Sequence, residues 1–140
     1  MKFKTFIKET MHLRRSMSGV SLDFGWGNGY VCIPNWHPFY GLGYDDIHDI
    51  AEISINGGLT FSSHAKDIAN WPELPKDCTD HWVIGFDTAH YRDTLLEWPI
   101  NAVQLAADNL ALQISSLNII VLWYRRIKLL FLKWIHNKTA

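Results

Sequence analysis

Cysteine is almost missing from this chain of 140 residues, with Cys32 and Cys78 its two thiols. Too far apart for a CxxC pair and too few for a disulfide framework, they exclude the stapled scaffolds of small secreted proteins. Behind Met1 stand Lys2, Lys4 and Lys8 rather than the apolar stretch of a secretory leader, so a reduced, cytoplasmic protein is expected. Uninterrupted apolar length is also missing. Residues 119–135 are intensely apolar, but Arg125, Arg126, Lys128 and Lys133 break them up, against the ~20 apolar residues an ordinary bilayer span needs. No phosphate loop is present either. Gly25-Trp26-Gly27-Asn28-Gly29 has alternating glycines, but no helix start follows, so the stretch reads as a flexible turn.

Each charge sign is scarce somewhere. Residues 1–20 hold five Lys/Arg against Glu9 alone, and residues 116–140 hold Arg125, Arg126, Lys128, Lys133 and Lys138 with no acid. Residues 21–115 carry thirteen Asp/Glu against Lys66, Lys76 and Arg92, so the three segments have net charges of +4, −10 and +5. An acidic body excludes a duplex nucleic-acid footprint, which needs cations on the binding face. It suits divalent or cationic ligands, or basic ends folding back on the body.

What the chain has in abundance is aromatic side chains: seven Trp, seven Phe and five Tyr. Most belong in a core, which a chain of this length can build. Residues 3–17 suit a short helix or an edge segment, broken at Gly19. Tyr30-Val31-Cys32-Ile33 reads as a strand stopped by Pro34. Residues 35–49 (Asn35 to Asp49) hold Pro38, Gly41 and Gly43 and read as an aromatic loop that packs down as a wall. In it, Asp45, Asp46 and Asp49 suit turns and caps, and Tyr44-Asp45-Asp46-Ile47 suits the start of a strand or helix. Asn56-Gly57, between runs at 50–55 and 58–62, predicts a type I′ hairpin. Residues 64–80, punctuated by Trp71-Pro72 and Leu74-Pro75, are long for an idle connection and are expected to form a lid. Trp82–Phe86 reads as a further strand. From Pro99 the period becomes helical through Val103, Leu110 and Ile114, with a break at Asn118.

The expected fold is therefore α+β, an antiparallel sheet of about four strands against a C-terminal helical region. Residues 1–140 read as one domain: a basic segment (1–20), a β-rich acidic body (21–98) and a helical brace (99–138). The last helix suits burial against the sheet or a sister subunit, which makes a homo-oligomer the expected state. Residues 119–136 also fit a membrane-surface helix or a poorly folded tail.

Several blocks together carry a resemblance: Gly29-Tyr30-Val31-Cys32-Ile33-Pro34, His37-Pro38, Tyr44-Asp45-Asp46, Asn56-Gly57-Gly58-Leu59-Thr60-Phe61-Ser62, and Trp82 to His90 with Asp93. The chain from about 29 to 115 resembles a family of small bacteriophage and prophage proteins that has no assigned activity. The first twenty residues and the tail after Leu117 fall outside the pattern. The resemblance implies an accessory protein in the host bacterial cytoplasm that counters defence, by capturing or destroying a nucleotide signal. It carries over no catalytic residues.

The candidate site comes from the residues themselves. Asp87, His90 and Asp93 stand three apart at the end of an apolar strand, a common way to present titratable groups. Trp36, His37, Tyr40, Tyr44, Asp45, Asp87, His90 and Arg92 are the candidate ligand-binding set, with aromatics to stack on a base and Arg92 for a phosphate. Asp87, His90, Asp93 and His48 are candidate ligands for a divalent metal, the candidate cofactor, although their spacing matches no zinc signature. The competing structural reading has Asp87 as a helix cap and His90 bonded to a carboxylate of the loop. Sequestration of a small nucleotide-derived ligand is the leading expectation. Metal-dependent hydrolysis of such a signal and an acidic protein-binding inhibitor are the alternatives. The first two require the aromatic loop and the Asp87–Asp93 segment to meet at one hollow.

Overall fold

The strand-forming run Trp82–Phe86 takes the place its composition suggests, in the interior of a sheet. The computed structural model describes residues 2–10 and 24–140. Among these the elements run β1 (Thr5–Glu9), β2 (Gly27–Ile33), α1 (Tyr44–Ile50), β3 (Phe61–His64), β4 (Trp82–Phe86), α2 (Ile100–Ser116) and α3 (Ile119–Thr139). The strands form one antiparallel sheet in the order β1-β2-β4-β3. The α+β class and the strand count match expectation, but one strand does not. Residues 5–9 of the ambiguous N-terminal stretch supply the edge strand β1, while the rest of that stretch, from residue 11 through Gly19, lies outside the described residues.

The expected strand at 50–55 is absent. Its alternation of Ala51, Ile53 and Ile55 is real, but its backbone partner is a single side chain. Gln113 of α2 accepts from the Ser54 N–H at 2.9 Å and donates to the Ser54 carbonyl at 2.7 Å, taking the place of a neighbouring strand. The turn that follows is closed by Gly58 N–H to the Ile55 carbonyl at 3.0 Å. Gly57 and Gly58 have φ of 68° and 80°, while Asn56 is not among the positive-φ residues, so the turn is not type I′.

β2 and β4 are buried on both faces, as a central pair must be. Val31, Ile33, Ile84 and Phe86 face α1 and α2, where Ile47, Ile50, Val103, Ala107, Leu110 and Ile114 close the main core. Tyr30, Cys32 and Val83 face the opposite way. The segment expected to be a lid covers them: Ala65, Ile68, Trp71, Leu74 and Cys78 pack there with Phe6 and Phe61. With a second sheet face to bury, residues 65–80 serve as the wall of a second core, and the lid reading is corrected. Two glycines make room across the central pair. A Cβ on Gly29 would lie 2.5 Å from the Phe86 ring, and one on Gly85 would lie 2.4 Å from the Tyr30 ring. Gly27 and Gly29 therefore belong to β2 itself rather than to a flexible turn before it.

Asn118 breaks the helical region as expected, accepting from the Ile120 and Val121 N–H groups to cap α3. α3 leaves α2 at 88° and lies against α1 and the aromatic loop rather than the sheet. Only Leu122 of its residues is fully buried, so burial against the sheet is corrected too. No single helix among the described residues is long and apolar enough to cross a membrane.

Candidate functional site

β4 ends at Phe86, and the next seven residues fold over the Asn56–Gly58 turn. Asp87 accepts the Ala89 N–H at 3.0 Å, and the Thr88 hydroxyl donates to the Gly27 carbonyl at 2.8 Å. Asp93, 7% exposed, is the hub. Its carboxylate takes the His90 N–H at 2.9 Å, the His90 Nδ1 at 2.9 Å, and the Asn56 amide at 3.1 and 3.0 Å. The His90 ring then lies against Gly57, where a Cβ would sit 2.1 Å from Nε2. His48 flanks the other side of the turn, its Nε2 accepting the Leu59 N–H at 3.0 Å. With that nitrogen accepting, Nδ1 is left as the donor of the ring.

These groups bond largely to one another or to backbone and are not gathered around a common point, and the metal reading is corrected on that ground. Asp93 is bonded to His90 and Asn56, His48 Nε2 is committed to a backbone amide, and His90 Nδ1 lies 3.6 Å from Asp87 but 2.9 Å from Asp93. Among the described residues no group of three or more His, Cys, Asp or Glu is arranged to hold a metal ion. The competing structural reading is corrected as well: His90 is bonded to Asp93 of its own segment rather than to a carboxylate of the aromatic loop, and Asp87 closes a local turn rather than capping a helix.

Of the expected meeting of the two stretches only His48 remains, at the turn against which His90 packs; the rest does not occur. β2 and β4 are antiparallel, with Ile33 opposite Trp82 and Gly29 opposite Phe86. The aromatic loop leaves β2 where β4 begins, whereas Asp87–Asp93 leaves β4 at its far end. The separation along the strand is roughly 13 Å at ~3.3 Å per residue.

Trp36, His37, Tyr40, Tyr44 and Asp45 therefore do not share a hollow with Asp87, His90 and Arg92. At the loop end, His37 is fully buried, with Nδ1 accepting the Phe39 N–H at 3.1 Å and Nε2 without a partner. Phe3 and Phe39 meet its ring edge-on, and burial lowers its pKa to about 4. Trp36 lies half-exposed beside Phe3. The Tyr40 hydroxyl bonds His64 Nε2 at 2.8 Å, and Trp82 Nε1 donates to the Leu42 carbonyl at 2.9 Å. The Tyr44 N–H donates to Ser62 Oγ at the start of α1, Asp45 is exposed in that first turn, and Asp46 pairs with Lys133. Arg92 has φ of 78°, and its guanidinium lies over the exposed Tyr91 ring. It is part of a tight turn closed by Asp93 N–H to the His90 carbonyl at 3.0 Å.

Hollows beside the turn do lie within reach of part of the candidate set. A cleft of about 670 Å³ is lined by His48, Ala51, Glu52, Ile53, Ser54, Ile55, Gly58 and Gln113. Across the Ser54–Ile55 backbone, a second of about 480 Å³ is lined by residues including Asn56, Glu97, Trp98, Leu105 and Asn109. Of the candidate residues His48 alone lines the larger cleft. Glu52 and Ser54 read from sequence as the outer face of a strand, and Gln113 as the polar side of a helix. The turn signal Asn56-Gly57-Gly58 was the one available pointer to this place. Comparison with protein-family models, with curated proteins and with solved structures finds no match to this chain.

Proposed function

We propose that the protein captures a small nucleotide-derived ligand, without breaking a bond in it, at the cleft beside the Asn56–Gly58 turn. The observation that carries this reading is the fixed tautomer of His48. The Leu59 N–H occupies Nε2, so the residue offers one N–H donor at a cleft where Glu52 offers acceptors. A donor beside an acceptor suits the edge of a base, and a cleft of about 670 Å³ lies within the ~300–1,000 Å³ usual for small-molecule sites. The acidic surroundings favour holding the base and ribose and leaving phosphates in solvent. Sequestration is supported over hydrolysis because Asp87, His90 and Asp93 are engaged with one another or with backbone rather than poised around a vacant position. An accessory phage role in the host cytoplasm is the setting this reading adopts, on the resemblance alone.

The test is retention. The protein is mixed with cyclic nucleotides and ADP-ribose derivatives, freed of unbound material and heat-denatured, and the released small molecules are weighed by mass spectrometry. Intact ligand is expected, lost in His48→Ala and Glu52→Gln and kept in Asp87→Asn. An altered product would return the hydrolase reading, and no retention of any nucleotide would remove the capture reading.

A further inference from the structure

Helix α3 is turned inside out relative to an ordinary surface helix. Three of its five Lys/Arg reach toward the domain: Arg125 Nη1 donates to the Ile50 carbonyl at 3.0 Å, Arg126 Nη1 to the Pro38 and Tyr40 carbonyls at 2.8 and 2.7 Å, and Lys133 pairs with Asp46. Its apolar side faces out. Ile120, Trp123, Tyr124, Ile127, Phe131 and Trp134 recur at helical spacing, and their exposures run from 38% for Trp123 to 80% for Ile120. No described residue covers this stripe, whereas soluble monomers rarely expose a continuous apolar patch of such extent.

We propose that this outer face docks in the plane of an anionic lipid bilayer. Three observations favour lipid. The first is charge: residues 116–140 contain Lys and Arg and no acid, and Lys128 and Lys138 are exposed beside the stripe. Packing two copies of α3 face to face would bring these lysines together with no carboxylate on either helix to offset them. Anionic headgroups supply that charge, and they repel the acidic body, which orients the molecule. The second is chemistry. Trp123, Tyr124 and Trp134 join a large apolar ring to one polar N–H or O–H, which suits the depth between acyl chains and headgroups. The third is geometry. α3 cannot cross a bilayer alone, and the apolar residues of α2 that could extend it (Val103, Ala107, Leu110 and Ile114) are committed to the sheet core. A helix of 21 residues lying flat offers a stripe about 30 Å long.

The test is flotation of the full-length protein with vesicles of phosphatidylcholine alone and of phosphatidylcholine mixed with phosphatidylglycerol. Co-flotation is expected on the mixed vesicles and should weaken as salt rises. Ile127→Glu combined with Phe131→Glu should abolish it, with far-UV circular dichroism unchanged. Lys128→Glu combined with Lys138→Glu should weaken it roughly tenfold or more, on the anionic vesicles only. Failure to float with anionic vesicles overturns the proposal, and so does flotation indifferent to Ile127→Glu/Phe131→Glu. A dimer that the same pair of substitutions dissolves, without vesicle uptake, assigns the face to a second copy instead.

Discussion

At one end of the β2–β4 pair a histidine is sealed among aromatic rings with a ring nitrogen unpartnered; at the other, a histidine at the surface shares a carboxylate with an asparagine. His37 contributes by shape, and its neutral form is the one its surroundings tolerate. His90 contributes through a network in which each polar atom depends on the others. Two stretches equally rich in titratable residues thus do different work, and burial separates them.

The comparison can be broken from either side. Asp93→Ala strands the Asn56 amide and both His90 donors, and a loss of roughly 3–4 kcal/mol is expected in urea unfolding. A loss below 1 kcal/mol, as for an exposed ion pair, would mean the network is ornamental. At the other end the effect is one of pH. His37 has a pKa of about 4 when folded against 6.5 as the ordinary value, so between these the unfolded chain binds the extra proton. Its contribution is complete above pH 6.5 and is lost as pH falls toward 4, by about 3 kcal/mol over that window. Urea unfolding at several pH values should show this slope in the native protein and a shallower one in His37→Asn. Equal slopes would place the proton elsewhere.

Two glycines sharpen the contrast. Gly57→Ala meets both a positive φ and the His90 ring, and should cost about 2 kcal/mol because the ring must give up Asp93 to move away. Gly41→Ala has a φ of 79° but nothing within 4 Å of the new methyl, so about 1 kcal/mol of backbone strain is expected. Equal losses at the two positions would deny the network its rigidity.

Features with short-range causes were legible in the sequence. The turn at Asn56–Gly58, the helix beginning after Pro99, the break at Asn118 and the strand ending at Phe86 each carry their own signal. β1 does not: Phe3, Phe6 and Ile7 fit no clean period, and Thr5–Glu9 becomes a strand because β2 offers an edge. The stretch at 51–55 fails in the opposite sense, since its alternation is genuine but its partner is the amide of Gln113, far along the chain. The candidate site was misjudged for a reason already contained in the antiparallel expectation. Strands that run in opposite directions and pair side by side send their following loops to opposite ends. Asp87 and His37 could share a hollow only if one loop doubled back along the sheet. α1 does make such a return, which is why His48, from the aromatic stretch, reaches the His90 end.

Arg126 sets a mechanical condition on the whole molecule. Its guanidinium holds the carbonyls of Pro38 and Tyr40, two points on a strip of main chain with no regular structure to stiffen it. A pull along the C-terminal arm meets the Lys133–Asp46 pair and then, at Arg126, two bonds loaded in parallel. Tension and slack in that arm are thereby handed on to the tryptophan-bearing strip.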